Sequence, residues 1–387
     1  MAPIWATGPG MSQDEFLDWA SIEAVLPSSF RTRATELKLV NPQLPEHLGA
    51  KVTDIGQILR LVLYQVGRNI GQQPAAAAFG AAGLLDISHV ALHKWMKKLG
   101  PYLAELVSAM VASEHASFAP ERWAGYELVG VDATCVQRPG AKGTTSRIHR
   151  ALRLTDLRVI HAEVTDHSGG ETFKRFVPRP GQLWIADRGY SNPPGIAWVK
   201  GQGGEVLVRH NRGSLPLYDA QGHAIDVLKK LRKLRKPGWM RQWQAFVYPE
   251  GGDRIEGRLC AVRLPKDKAA EARERLRREQ GAELTADSLA MADFVVVFTT
   301  VPSNKLSTDQ ILQLYRLRWQ IELDFKRDKS ITGLDLLPNF RADTIQSWIY
   351  AKLLLHQILS KLADSSSAFS PTALVDALGP ALRQKAA

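Results

Sequence analysis

Tyr315, Arg318, Glu322 and Lys329 sit at intervals of three, four and seven residues. On a helix that turns about 100° per residue they fall within an arc of roughly 60°. A phenol, a guanidinium, a carboxylate and an ammonium therefore share one stripe. Leu314, Leu317, Ile321 and Phe325 form a second, apolar stripe about 85° away, suited to burial against a core. A lone carboxylate among cations suits a site that holds a metal ion and steers phosphates around it. A solvated helix laced with ion pairs carries the same pattern. The stretch 314–329, expected as one long amphipathic helix, thus acquires a catalytic meaning only if other acids join it.

Two acids do stand where strands would otherwise be apolar. Asp132 interrupts the run Tyr126-Glu127-Leu128-Val129-Gly130-Val131-Asp132-Ala133-Thr134, and Asp187 ends the run Leu183-Trp184-Ile185-Ala186-Asp187. Singly, a strand-terminal Asp is usually a turn former or a helix cap. With Glu322 they make three carboxylates from three elements, the set needed to hold two divalent cations roughly 4 Å apart for in-line phosphoryl transfer. Mg²⁺ prefers such hard oxygen ligands.

The elements that must position these groups follow from periodicity. Residues 1–125 read as helical, with amphipathic segments near 12–24, 52–68, 74–83 and 88–113. The pair at 74–99 resembles a helix-turn-helix, with Ser88 as N-cap, Val90, Leu92 and Trp95/Met96 facing inward, and His89, His93, Lys94 and Lys97 offered to a groove. A helical hairpin used only for packing fits the same pattern. From residue 126 strands take over, at 126–136, 147–154, 158–166, 182–186 and 204–210, with a helix at 193–201. Residues 214–305 bring strands near 241–248, 257–264 and 293–301, a charged helix at 267–280, and the run Lys229 to Lys236, with six cations in eight residues. That run is either a solvated face or a phosphate-binding surface. Ser307-x-x-Gln310 has the form of a capping box that opens the helix carrying Glu322. Thr332-Gly333 and Pro338 mark its end. A helix at 344–362 and another near 371–383 form the tail.

The chain has 387 residues, 45% of them hydrophobic, and a formal charge of +11 with a pI near 9.6. That is enough for several cores, and the charge points to a polyanionic partner, most often nucleic acid. Residues 1–125 carry 10 basic and 11 acidic side chains, the remainder 40 and 28, so the later two-thirds is expected to contact most of a nucleic-acid backbone. No basic leader with an apolar run opens the chain and no stretch of 18 apolar residues occurs, which predicts a cytoplasmic protein without a membrane span. Cys135 and Cys260 are far apart, which disfavours a disulfide framework or a structural zinc.

The sequence resembles the insertion-sequence-four group of bacterial DDE transposases. Tyr315, Arg318, Glu322 and Lys329 match that group's Tyr-x2-Arg-x3-Glu-x6-Lys signature at every position. Val131-Asp132-Ala133-Thr134 and Ala186-Asp187-Arg188-Gly189-Tyr190 look like its first- and second-acid motifs, and 139–144 and 169–176 read like further segments of it. The resemblance implies an α/β multidomain protein. A ribonuclease-H-like mixed-sheet catalytic core, 126–213 and 306–343, would be interrupted by a β-rich insertion, 214–305. An all-helical domain at 1–125 would bind DNA ends, and a helical tail at 344–387 would serve dimerisation. It implies two Mg²⁺ ions, or Mn²⁺, on Asp132, Asp187 and Glu322, with Tyr315, Arg318 and Lys329 on the DNA beside the scissile phosphate. Arg188 and Tyr190 would lie near the site. Phe294 stands where hairpin-forming relatives carry a stacking aromatic, usually Trp, and Trp239 and Trp243 are alternative platforms. The function implied is cut-and-paste transposition on double-stranded terminal inverted repeats by a homodimer. A metal-dependent nuclease without strand transfer and a transposase-derived DNA-binding repressor are the alternatives.

Overall fold

The computed structural model describes residues 18–40, 52–116, 123–281, 284–337 and 342–365. The segments expected to be helical at 12–17 and 371–383 lie outside them. The N-terminal part is helical: α1 (Trp19–Val25), α2 (Phe30–Glu36), α3 (Ile55–Arg68), α4 (Gln72–Ala81) and α5 (His89–Ala116). α3 buries Ile58, Leu59, Leu61, Val62, Leu63 and Val66 over more than half of its circumference and leaves Gln57, Arg60, Tyr64 and Arg68 on a partly exposed side. It ends where Asn69 takes the left-handed conformation, a conformation that asparagine tolerates better than most residues. α5 runs through Gly100-Pro101 to Ala116.

Strands follow: β1 (Glu127–Val136), β2 (Ser146–Arg153), β3 (Arg158–Asp166), β4 (Gln182–Ala186) and β5 (Glu205–Arg209), with α6 (Pro193–Gly201) connecting the last two. Asn192 caps α6 by accepting the Gly195 N–H, and Pro193 and Pro194 fill its first turn, where a missing N–H costs nothing. Next come α7 (Val227–Leu231), β6 (Met240–Val247), β7 (Ile255–Arg263), α8 (Lys266–Gln280), α9 (Ala286–Met291) and β8 (Phe294–Thr299). The eight strands form one mixed sheet in the order β3-β2-β1-β4-β5-β8-β7-β6. β1, β4 and β5 are mutually parallel, and the remaining neighbours pair antiparallel. The strands of 214–305 thus continue the sheet of 126–213, with β8 hydrogen-bonded directly to β5.

Alternation along the strands gives the sheet two apolar faces. Leu128, Leu183, Ile185 and Leu207 join the core made by the N-terminal helices, whereas Val129, Val131, Trp184 and Val206 face a second core with Phe173, Phe176, Leu217 and Leu231. Three helices complete the first face: α10 (Thr308–Arg316), α11 (Trp319–Ile331) and α12 (Ala342–Ser365). Ser307 and Gln310 form the expected capping box at the start of α10. α12 packs on α3 and α5 and buries Ile349, Leu354 and Ile358. The described part of the tail therefore spends much of its apolar surface within its own chain. No described helix is long and apolar enough to cross a membrane.

The stretch 314–329 is not one helix. Leu317 and Arg318 form a turn between α10 and α11, and the N–H groups of Leu317, Arg318, Gln320 and Ile321 bond to carbonyls three residues back. This tighter winding rotates the chain about 120° per residue rather than 100°. It brings Tyr315 and Arg318, three residues apart, onto the same side of the turn, with the guanidinium 6.0 Å from the ring centre. The apolar stripe does bury: Leu314, Ile321 and Phe325 are in the core and Leu317 is packed against it.

Candidate active site

The parallel register of β1 and β4 sets Val131 beside Ala186. The next residues, Asp132 and Asp187, are therefore neighbours, and by alternation both belong to the sheet face covered by α10 and α11. Asp132 lies inside β1, whereas Asp187 starts a short 3₁₀ turn, Arg188–Tyr190. Glu322 reaches them from the first turn of α11, which packs on β1.

Arg318, in the turn before α11, ties the acids together. Its Nη2 lies 2.5 Å from Glu322 Oε1 and its Nη1 lies 3.9 Å from Asp132 Oδ2. Tyr315, at the end of α10, is buried and donates its hydroxyl to Asp187 Oδ1 at 3.1 Å. The break between α10 and α11 lets one residue address each strand. Two acids so close in space fare differently. Burial raises the carboxyl of Asp132 to about 7, because the Ala133 N–H and Arg318 only partly offset it while Glu171 and Glu322 oppose ionisation. Burial acts on Asp187 too, but Arg318, the Arg188 N–H, Arg209 and Arg188 outweigh it and hold its pKa below the usual value. Burial and the neighbouring Asp187 charge keep Tyr315 protonated far above its usual range.

Lys329 is half-buried in the last turn of α11, about 10 Å along the axis from Glu322 at 1.5 Å per residue. Arg188 is exposed beside Asp187. Tyr190 is fully buried, packed against Phe173 and Phe176. Phe294 is buried at the start of β8, with the Arg263 guanidinium over its ring at 5.6 Å. It helps to line a cavity of about 580 Å³ shared with Arg188, Arg209, Arg212 and Arg275. Trp239 stands apart, 46% exposed, at the end of the basic run, with Lys236 Nζ 5.6 Å from its ring centre. In that run Leu231 and Leu234 are buried and most of the cations face solvent. Trp243 is partly buried in β6. Lys94 and Lys97 are exposed on α5, and the Ala91 N–H donates to Ser88 Oγ at 3.2 Å, as expected of an N-cap. Val90, expected to face inward, is instead 51% exposed. It lies in the first turn of a 28-residue helix whose buried side begins at Leu92.

Sequence reasoning passed over three groups. Glu171 lies on the loop after β3, Arg147 of β2 donates to that loop, and Arg150 anchors α11 from behind. The Arg150 Nη1 and Nη2 atoms each lie 2.5 Å from a carboxylate oxygen, of Asp324 and Asp328 respectively, and His356 of α12 pairs with Asp328. The acids of this network were legible as an i, i+4 pair on the helix face away from Glu322. Their arginine, 174 and 178 residues distant, was not.

Burial, hard oxygen donors and an arginine shared between acids are features that phosphoryl chemistry can use. The chain belongs to the DDE transposase family: residues 123–358 match the domain described as Transposase DDE domain. It is 29% identical over 330 residues to the transposase for insertion sequence element IS421 from Escherichia coli, covering 83% of this chain and 88% of that one. The InsL transposase of element IS186A from Escherichia coli strain K12 matches equally, 29% over 329 residues with the same coverage. The IS231F transposase of Bacillus thuringiensis subsp. israelensis is 27% identical over 199 residues, covering 46% of this chain and 40% of that one. The solved piggyBac transposase synaptic complex with hairpin DNA aligns at a TM-score of 0.45 and 9% identity, over 94% of this chain and 77% of that one.

Proposed function

We propose that Asp132, Asp187 and Glu322 are the metal ligands of a two-cation DNA phosphoryl-transfer site. The register that places Asp132 beside Asp187, under Glu322 and Arg318, carries this reading. The donor set suits Mg²⁺, or Mn²⁺ in its place: the ligands are carboxylate oxygens, and Asp132 is half-buried with its negative charge only partly met. Among the described residues no three acidic, histidine or cysteine side chains already close round one point. Arg318 instead balances part of the charge that cations would neutralise. When bound, two divalent ions would supply an activated oxygen nucleophile and stabilise the leaving oxygen of an in-line displacement.

The chain's own residues divide the remaining work. Tyr315 holds Asp187 in one orientation. Arg318 presents a planar fork that matches a phosphate as well as a carboxylate, so an incoming DNA strand competes for it directly. Lys329 adds a point charge further along the same strand. The arginines of the cavity at Phe294 attract backbone phosphates, and the ring can stack against a base drawn out of the duplex, the step a hairpin route requires. Lys236, Trp239 and the basic run extend the contact along β6, and Lys94 and Lys97 place a second basic surface on the helical domain. In this reading strands β1 to β5, with their order β3-β2-β1-β4-β5, form a ribonuclease-H-like core. Residues 1–125 bind the terminal inverted repeats, and 214–305 act as the insertion that contacts DNA. A homodimer synapses the two ends for cut-and-paste transfer.

The test is incubation with Mg²⁺ and a labelled DNA end from the element's own terminal repeat, with products resolved on a denaturing gel. Nicked, hairpin and strand-transfer products are expected in that order of appearance. Cleavage without any joined product favours a nuclease, and end binding without cleavage favours a repressor.

A further inference from the structure

A fourth carboxylate borders the site. Glu171 sits on the loop after β3, and that loop is pinned: Arg147 Nη1 donates to the Gly169 carbonyl at 2.8 Å and Arg175 Nε to the Gly170 carbonyl at 2.9 Å. The Glu171 side chain lies directly over Gly189, two residues beyond Asp187. A Cβ on Gly189 would overlap its carboxylate. Gly189 has no left-handed conformation to accommodate, so what it provides there is room. Although half-buried, Glu171 forms no ion pair or hydrogen bond with any described residue. The charges that act on it are Arg147 and Asp187, in opposite senses.

A second observation points into the same space. Tyr190 is fully buried, yet its hydroxyl has no hydrogen-bond partner. The two acids that bear most strongly on that hydroxyl are Glu171 and Asp132. A buried phenol left unpaired is destabilising. A group lying between the two carboxylates would satisfy the hydroxyl and both acids together.

We propose, building on the two-cation reading above, that Glu171 is a fourth carboxylate ligand, shared with Asp132, to the more weakly held of the two divalent cations. Three acids and Arg318 leave a net charge of −2 against the +4 of two ions, and Glu171 narrows that gap. Gly189 keeps the space in which this carboxylate turns between its resting place and the cation.

The test is direct Mn²⁺ binding to the full-length chain without DNA, followed by the electron paramagnetic resonance of free Mn²⁺, with circular dichroism melts to verify folding. Glu171→Gln should weaken one of the two Mn²⁺ ions by at least about tenfold, and Glu171→Asp should recover part of that loss. Gly189→Ala, whose methyl displaces only the end of a flexible side chain, should reproduce the Glu171→Gln defect. If Glu171→Gln fails to fold, Gly189→Ala and Glu171→Asp decide the question. Wild-type binding of both ions by Glu171→Gln and Gly189→Ala, with loss of Mn²⁺ in Asp187→Asn, overturns the assignment of Glu171 and leaves the acidic site standing. Wild-type binding by Asp187→Asn as well removes the two-cation reading itself.

Discussion

Helix α11 carries two arginine–carboxylate clusters on opposite faces, built from the same groups for opposite ends. Behind it, Arg150 is wholly buried and pairs with both Asp324 and Asp328, while His356 takes up the remaining side of Asp328. Almost every charge in that network has a partner. In front, Arg318 reaches Glu322 closely and Asp132 only at 3.9 Å, Asp187 relies on a phenol, and Glu171 has no described partner. A closed network of this kind fixes the position and rotation of the helix, because breaking it would strand a buried charge. The open one leaves negative charge uncompensated, a condition met by a ligand. On the proposed reading, one helix supplies the rigid support and the reactive surface at once.

The sharpest way to break this comparison is to neutralise one acid at a time on each face. Asp132→Asn, Asp187→Asn or Glu322→Gln should reduce DNA cleavage by a thousandfold or more, about 4 kcal/mol or above. Binding of DNA ends, followed by gel shift, should be largely retained. Substantial residual cleavage in any of them would refute the ligand assignment. On the other face Arg150→Ala should cost about 3–5 kcal/mol of stability, read as a shift in the denaturant midpoint, because it strands Asp324 and Asp328. A loss below 1 kcal/mol would mean that the rear network does not anchor α11.

Smaller effects separate the faces more finely. Tyr315→Phe removes the hydrogen bond to Asp187, so turnover should fall about tenfold, for about 1.5 kcal/mol, with little change in melting temperature. The weakest expected effect is on pH dependence. Burial lowers the pKa of His356, but Asp328 and Asp324 outweigh burial and Arg150, leaving the net pKa above 6.5. Because the folded value is the higher one, the stability it contributes is complete below about pH 6.5 and is lost as pH rises through the raised pKa. Asp328 has the opposite sense: burial opposes its ionisation, yet His356 and Arg150 depress it to about 2. Its contribution is present above about pH 4 and disappears as pH falls towards 2. The difference in stability between wild type and His356→Asn should therefore shrink between pH 6 and 9. A constant difference across that range would show that the pair is not charged.

Much of the site was written in short-range pattern. Alternation exposed Asp132 and Asp187 as acids where strands wanted apolar side chains, and the Ser307–Gln310 box located the start of α10. Strands β6 to β8 were legible too, but not that they would extend the core's sheet, since strand pairing joins segments with no local mark of each other. The break at Leu317-Arg318 escaped detection because its residues fit a continuous helix equally well. Three-residue winding there is selected by what Tyr315 and Arg318 touch rather than by their own propensities.

By itself the amino-acid sequence determined the acids, their helical or strand setting and the basic character of the later two-thirds, because these depend on residue type and on periods of 2 and 3.6. Tertiary structure alone decided which charges are spent and which remain available. Arg150 meets its acids across 174 and 178 residues, and Tyr315 meets Asp187 across 128. Glu171 gains its place only because a glycine after Asp187 leaves room. Such pairings arise from packing in three dimensions, where a carboxylate's neighbours, rather than its position in the chain, set whether its charge is spent on the fold or left uncompensated.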